Sequence, residues 1–257
     1  MHPILLKLGK IEIYTYGFFI AVGFLTGISL AKREALRTGE DPEKIMELCF
    51  YILISGIVAS RLFYVAINPE MFLEDPLEIF RIWKGGLVFY GGFTGAVLTV
   101  VIYLRKEKIP LWKTADILAP SLAIGHFFGR IGCFFAGCCY GKACDLPWAV
   151  TFSHPQSLAP TGIPIHPTQL YSAANNLMIF GLLCFFRRRK KFDGQLFWIY
   201  VLVYGVTRSV IEVFRGDFRG SPAFGILSTS QTIGGVFSVI ALIVIVFFTI
   251  RNRSKTN

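Results

Sequence analysis

The chain has 257 residues, of which 54% are hydrophobic and 16% charged, with a mean hydropathy of +0.57. A soluble domain of that size carries about 25% charged residues, so an ordinary water-soluble enzyme is excluded. The formal net charge of +10 is spread over short loops between apolar blocks, which marks it as a topology signal, and no nucleic-acid partner is expected.

The apolar blocks are roughly 18 to 21 residues long, enough to cross about 30 Å of hydrocarbon as a helix. In chain order they fall at 14–31, 47–67, 87–104, 115–135, 168–186, 195–214 and 232–250. The predicted fold is therefore an all-α integral membrane protein of about seven transmembrane helices, forming a single domain over 1–257. The third block opens on Gly91, Gly92 and Gly95, and the fifth carries Gln169, Asn175 and Asn176; six or eight spans fit the same pattern. Residues 1–12 lack a short apolar core followed by a small-residue cleavage site, so the first span is expected to persist in the mature protein.

Loop charge sets the expected orientation, because lysine and arginine collect on the cytoplasmic side. One set of loops holds Lys32, Arg33, Arg37, Lys44, Arg105, Lys106, Lys108, Lys113, the run 187–191, Arg251, Arg253 and Lys255. The other holds only Lys7, Lys10, Arg81, Lys84, Lys142, Arg215 and Arg219. The N-terminus is expected outside and the C-terminus in the cytoplasm. The remaining basic residues, Arg61, Arg130 and Arg208, each fall inside a predicted span, some five or six residues before its outer end. A charge at the bilayer centre costs at least about 2.5 kcal/mol even on insertion scales, so it commonly marks a pathway, a pair or a binding site. The bland alternative is that each arginine snorkels or pairs for stability, and Arg61 is the one for which that alternative weighs most.

Glu212 lies four residues after Arg208 and shares its helical face. Tyr204 and Arg215 extend the stripe. A guanidinium fork on such a stripe suits phosphate geometrically, as lysine does not, so an anion at headgroup depth is the expected ligand. Three further segments are polar or glycine-rich for membrane-level sequence: GGLVFYGGF at 85–93, which brackets Tyr90; GRIGCFFAGCCYG at 129–141; and HPTQLY at 166–171, where Pro167 suits a first helical turn. Glycines at this depth allow close helix packing or line a cavity. The stretch at about 136–167, with prolines at 147, 155, 160 and 164, reads as a small extracytoplasmic cap between spans four and five. Residues 72–83 read as an amphipathic arm on the outer surface, and 187–191 as a cytoplasmic anchor.

These segments, in this order and across nearly the whole chain, resemble the prolipoprotein diacylglyceryl transferases of bacterial cytoplasmic membranes. The resemblance rests on Tyr16–Gly17, GGLVFYGG, the GRIG segment ending in an aromatic and Gly141, HPTQLY, and YGVTRSVIEVFR at 204–215. It implies a seven-span fold with the N-terminus outside. It also implies transfer of the diacylglyceryl group of phosphatidylglycerol to the lipobox cysteine of a prolipoprotein, without a cofactor or metal, at the outer face of the inner membrane. Arg130 and Arg208 match phospholipid-binding arginines. Arg61, Tyr204, His166 and Gly141 are placed with them as substrate-binding residues, and Arg208, Glu212, Tyr90 and Tyr16 as catalytic ones.

Departures from the family pattern fall at chemically important places. Tyr90 stands where many relatives carry histidine, and a phenol with pKa near 10 is a poor base. The acceptor thiol must nevertheless be deprotonated, by the arginine field with Tyr90 assisting, or by His166 or His126. Cys133 and Cys138 stand where the family often has asparagine and glutamate, and Ser172 where glutamate is frequent. The spacing of Cys133, Cys138, Cys139 and Cys144 matches no common zinc or iron–sulfur pattern. Disulfides in the outer loop, inert thiols and redox or metal chemistry are all compatible with it. Cys49 and Cys184 read as packing residues. A membrane thiol oxidoreductase would use the clustered cysteines, and an anionic-solute transporter would use the same buried arginines, although no repeated halves are visible.

Overall fold

A computed structural model describes residues 2–9, 11–82, 85–217 and 228–253. Lys10, Trp83, Lys84, Arg219 and Lys255, which figure in the expectations above, lie outside the described residues, as does the side chain of Arg253. A β-hairpin, β1 (Ile4–Leu8) and β2 (Ile11–Tyr14), opens the chain, followed by α1 (Thr15–Thr38), α2 (Pro42–Ile67), the short α3 (Pro69–Glu74) and a 3₁₀ turn at Pro76–Phe80. Then come α4 (Phe89–Glu107), α5 (Leu111–Ala136), the two-residue strands β3 (Val150–Thr151) and β4 (Pro164–Ile165), α6 (Thr168–Phe186), α7 (Gln195–Val213) and α8 (Thr229–Arg253).

Six of these helices, α1, α2, α5, α6, α7 and α8, are long and apolar enough to cross a membrane. The protein is a multi-pass helical membrane protein. The predicted third span exists as α4, but that 19-residue helix carries Gly91 and Gly92 in its first turn and ends on Arg105, Lys106 and Glu107, so it is less apolar than the six. The hairpin was not expected. In it Ile4 pairs with Tyr14 and Lys7 with Glu12, whose side chains also meet at 2.8 Å.

The chain divides into two compact units, Ala31–Thr114 and the remainder, with α1 and α5 each contributing to both. In the first, α4 packs on α2 through glycines. A Cβ at Gly91 would lie 2.4 Å from the Phe63 Cβ, and one at Gly95 2.5 Å from the Ala59 Cβ. The glycines of the third span thus serve close helix approach, the simpler of the two uses weighed for them.

The same unit contains Arg61, 6% exposed. Its Nε donates to the Ile79 carbonyl at 2.9 Å, Nη1 to Gly85 at 2.8 Å and Gly86 at 3.2 Å, and Nη2 to Glu78. Four of the five guanidinium N–H groups are thereby consumed by backbone oxygens, while the group lies 5.5 and 5.3 Å from the Tyr64 and Phe72 ring centroids. Gly86 is obligatory here, with φ +72° and a hypothetical Cβ 2.5 Å from Nη1. Arg61→Ala should therefore cost about 3 kcal/mol, since it strands several buried carbonyls as well as removing charged hydrogen bonds. A thermal-unfolding midpoint in detergent equal to that of the unaltered protein would refute this bracing role.

In the second unit, glycines again set the helix approach. A Cβ at Gly23 would lie 3.0 Å from the Phe128 Cβ, and one at Gly132 3.1 Å from the Tyr16 ring, so α1 presses directly on α5. On the other side, α7 meets α8 where a Cβ at Gly205 would strike Ser238 Oγ at 2.3 Å. The start of α7 has no capping side chain of its own. Buried Asp116 of α5 supplies the acceptor instead, taking the Gly194 N–H at 2.9 Å, the Phe197 N–H at 3.1 Å and Lys190 Nζ at 3.0 Å. Part of the basic run 187–191 is thus fastened internally, a bond that loop charge alone did not disclose.

Candidate active site

The faces of α5 and α7 that meet carry the polar residues. On α5, His126, Arg130 and Cys133 follow at helical spacing. On α7, Tyr200, Tyr204, Arg208 and Glu212 do the same, each one turn beyond the last. The Tyr200 hydroxyl lies 2.8 Å from His126 Nδ1, and the Tyr200 and Tyr204 rings stack at 5.6 Å and 18°. His126 also faces the Tyr204 ring at 5.6 Å. The Arg130 guanidinium lies beside the Tyr204 phenol. Among the described residues no carboxylate lies within ion-pair distance of Arg130.

Arg208, 8% exposed, is in ion-pair contact with Glu212. Glu212 is held from two sides, by the Ser230 hydroxyl of α8 donating to Oε1 at 2.9 Å and by Arg215 Nε, 3.7 Å from Oε2. Arg215 is itself buried and forks onto Asp217 with bonds of 2.8 and 2.6 Å. Two guanidinium groups, Arg208 and Arg215, thus pair with two carboxylates, and Arg130 beside them leaves the centre an excess of positive charge.

The loop after α5 closes the arrangement. Cys133, Cys138 and Cys139 bring their sulfurs within 4.8 Å of one another. None of the six cysteines is in a disulfide in this structure. The neighbouring Cys133 and Cys138 thiols, and then the Arg215 guanidinium, lower the Cys139 thiol below its ordinary pKa. Tyr16, on the first turn of α1, lies against Gly132, the residue before Cys133.

HPTQLY positions this loop from the opposite side. Thr168 Oγ1 donates to the Cys139 carbonyl at 2.8 Å and Gln169 Nε2 to the Cys138 carbonyl at 2.9 Å. The His166 ring faces Phe214 at 5.2 Å and places Nδ1 3.1 Å from the Tyr171 hydroxyl, which also accepts from Trp148 Nε1 at 2.7 Å. Gly141 is a crossing point of three strands of chain. Its N–H bonds the His166 carbonyl at 3.1 Å, and a Cβ there would fall 2.5 Å from both the His166 Cβ and its carbonyl oxygen and 2.9 Å from the Phe214 oxygen. Gly141→Ala should therefore destabilise the fold by about 3 kcal/mol through overpacking against backbone that cannot yield, and lower the yield of folded protein by size-exclusion chromatography. The segment 136–167 has a small core of its own, Phe152, Ala159 and Ile165, against Phe134 and Tyr140.

Of the residues expected at the site, Tyr16, Arg130, His166, Tyr204, Arg208, Glu212 and Gly141 belong to this unit, with Gly141 and His166 acting through backbone and ring packing. Arg61 and Tyr90 belong to the other. Tyr90 is 59% exposed, its ring 5.8 Å from that of Phe89. Ser230 was not among the expected residues, because nothing in the linear sequence brings it to Glu212.

These helices and this cationic, thiol-lined centre define a multi-pass membrane protein whose polar machinery is built on α1, α5 and α7. The family model for prolipoprotein diacylglyceryl transferase matches residues 3–250. The chain is 36% identical to the phosphatidylglycerol–prolipoprotein diacylglyceryl transferase of Clostridium tetani over 240 residues, 93% of this chain and 94% of that protein. It is 33% identical to phosphatidylglycerol–prolipoprotein diacylglyceryl transferase 2 of Clostridium perfringens over 91% of this chain and 90% of the relative. With the enzyme of that name from Methylococcus capsulatus it shares 36% identity over 89% of this chain and 88% of the relative. The chain belongs to the prolipoprotein diacylglyceryl transferase family. Neither the thiol-oxidoreductase nor the anion-transporter alternative gains support from these relatives.

Proposed function

We propose that this protein transfers the diacylglyceryl group of phosphatidylglycerol to the lipobox cysteine thiol of prolipoproteins, forming a thioether and releasing glycerol phosphate. The observation that carries this reading is Arg130, a guanidinium at membrane level with a phenol beside it and, among the described residues, no carboxylate. Such a group is poised for an anion, and the lipid phosphate provides one. Arg208, aligned by Glu212, supplies the second fork. As the C–O bond to phosphate breaks, charge grows on the departing oxygen, and fixed cations placed there in advance stabilise it without reorganising. Tyr204 and Tyr16 complete the polar wall. Tyr90 is assigned an assisting role on its motif alone, and Arg61 is better suited to bracing, since four of its five donors are already taken.

The proposal includes seven spans, α4 being the seventh, with the N-terminus outside, the C-terminus cytoplasmic and the site toward the outer face of the inner membrane. The loop charges support this arrangement. Incubating purified protein with phosphatidylglycerol and a lipobox peptide should yield a peptide heavier by one diacylglyceryl group, together with free glycerol phosphate. Absence of that adduct by mass spectrometry would overturn the reading.

A further inference from the structure

The three converging cysteines have no task in that mechanism, yet their convergence is enforced by backbone. Gly137 (φ +80°) turns the chain out of α5, where a Cβ would meet Ser157 Oγ at 2.2 Å. Cys139 sits at φ +62°, a left-handed conformation that non-glycine residues seldom adopt. Thr168 and Gln169 then fix the carbonyls of residues 138 and 139. Backbone strain retained at a polar centre is a sign of use.

What the arrangement can hold follows from its donors. All three are sulfur, which rules in soft or borderline cations and excludes magnesium and calcium, whose sites are oxygen-built. A zinc–sulfur bond of about 2.3 Å requires sulfurs roughly 4 Å apart. Sulfurs already within 4.8 Å close onto such an ion with small rotations. Charge also fits. Three thiolates around a divalent cation leave one net negative charge, which Arg130 and Arg215 beside the cluster would balance. Three protein ligands and an open fourth position are the pattern of a working zinc site, a closed site having four.

We propose that Cys133, Cys138 and Cys139 bind a thiophilic divalent cation of the zinc class, with the fourth position open to the acceptor cysteine of the peptide substrate. The acceptor role rests on the transferase reading above. That reaction needs a thiolate, and Tyr90 is a poor base for making one. A thiol that coordinates such a cation gives up its proton, here to water. Its sulfur then forms the C–S bond to the glycerol carbon while the C–O bond to phosphate breaks. The electron pair departs on the phosphate oxygen, held by Arg130 and Arg208.

The test uses the full-length protein in detergent under reductant. After chelation and dialysis, zinc is added back and its stoichiometry measured, and cadmium is titrated while its ultraviolet sulfur-to-metal charge-transfer band is followed. One ion per chain is expected, retained in Cys49→Ser and Cys184→Ser and lost in Cys133→Ser and Cys139→Ser. Peptide lipidation should fall about a hundredfold on stripping and return with zinc but not magnesium. Failure to bind a stoichiometric ion would overturn the proposal, as would stripped protein as active as loaded protein, and either result leaves the transferase reading standing. Lack of adduct in both stripped and loaded protein would instead overturn the transferase reading, and the acceptor role with it, while the binding titration would still report on the site.

Discussion

Arg130→Ala should abolish measurable lipidation of a lipobox peptide, lowering the rate by about 10³-fold, or roughly 4 kcal/mol of transition-state stabilisation. The reasoning is one of charge. Arg208 and Arg215 each have a carboxylate in ion-pair contact, so the excess positive charge of the centre resides on Arg130. Arg130→Lys keeps the charge but loses the planar fork, and lysine presents a point charge where two parallel donors are needed. It should restore activity only partly, remaining at least about tenfold below the original. A rate for Arg130→Ala within tenfold of the unaltered protein, with unchanged thermal stability, would remove Arg130 from the phosphate site.

The second large effect is expected at Glu212, which acts through its neighbours. Its Oε2 contacts Arg208 and its Oε1 takes the Ser230 hydroxyl. Glu212→Gln keeps the shape and removes the charge. Arg208 then has no compensating carboxylate in that position, and an uncompensated buried guanidinium reorients or draws in water. The rate should fall about 10²-fold, with kcat reduced more than KM for phosphatidylglycerol, because the alignment counts most once charge has shifted to the departing oxygen. Glu212→Asp, which retains the charge one methylene further back, should recover a good part of the loss. Equal activity of Glu212→Gln and the unaltered protein would show that Arg208 needs no partner.

Much of this was readable in the sequence because membranes impose strict rules. Apolar length located the helices to within a few residues, as at Thr168–Phe186, where expectation and structure share both ends. The stripe Tyr204, Arg208 and Glu212 was legible because it lies on one helix, where spacing alone decides which side chains meet, and Arg215 follows just past the end of that helix. What escaped notice required a partner from a distant segment. Asp116 reads as a charge near the start of a span until Gly194 and Phe197 fold onto it. For Arg61, substrate binding and a stabilising role were both open, because nothing in its own helix shows that the carbonyls of Glu78, Ile79, Gly85 and Gly86 accept from it. The closeness of the cysteine sulfurs is hidden by their spacing. Metal patterns in sequence presume both ligands of a pair on one local turn, whereas here a helix end and a left-handed residue bring Cys133 to Cys138 and Cys139.

Thr168 and Gln169 grip the loop after α5 by the carbonyl oxygens of Cys138 and Cys139. Every amino acid has that oxygen, so this grip does not depend on what projects from the loop, although φ +62° at Cys139 disfavours branched side chains there. Positions 138 and 139 are in effect sockets: a carboxylate, an amide or a thiol can be exchanged there without moving the chain that carries it. A catalytic centre built this way can change its chemistry one side chain at a time while the scaffold around the arginines stays still.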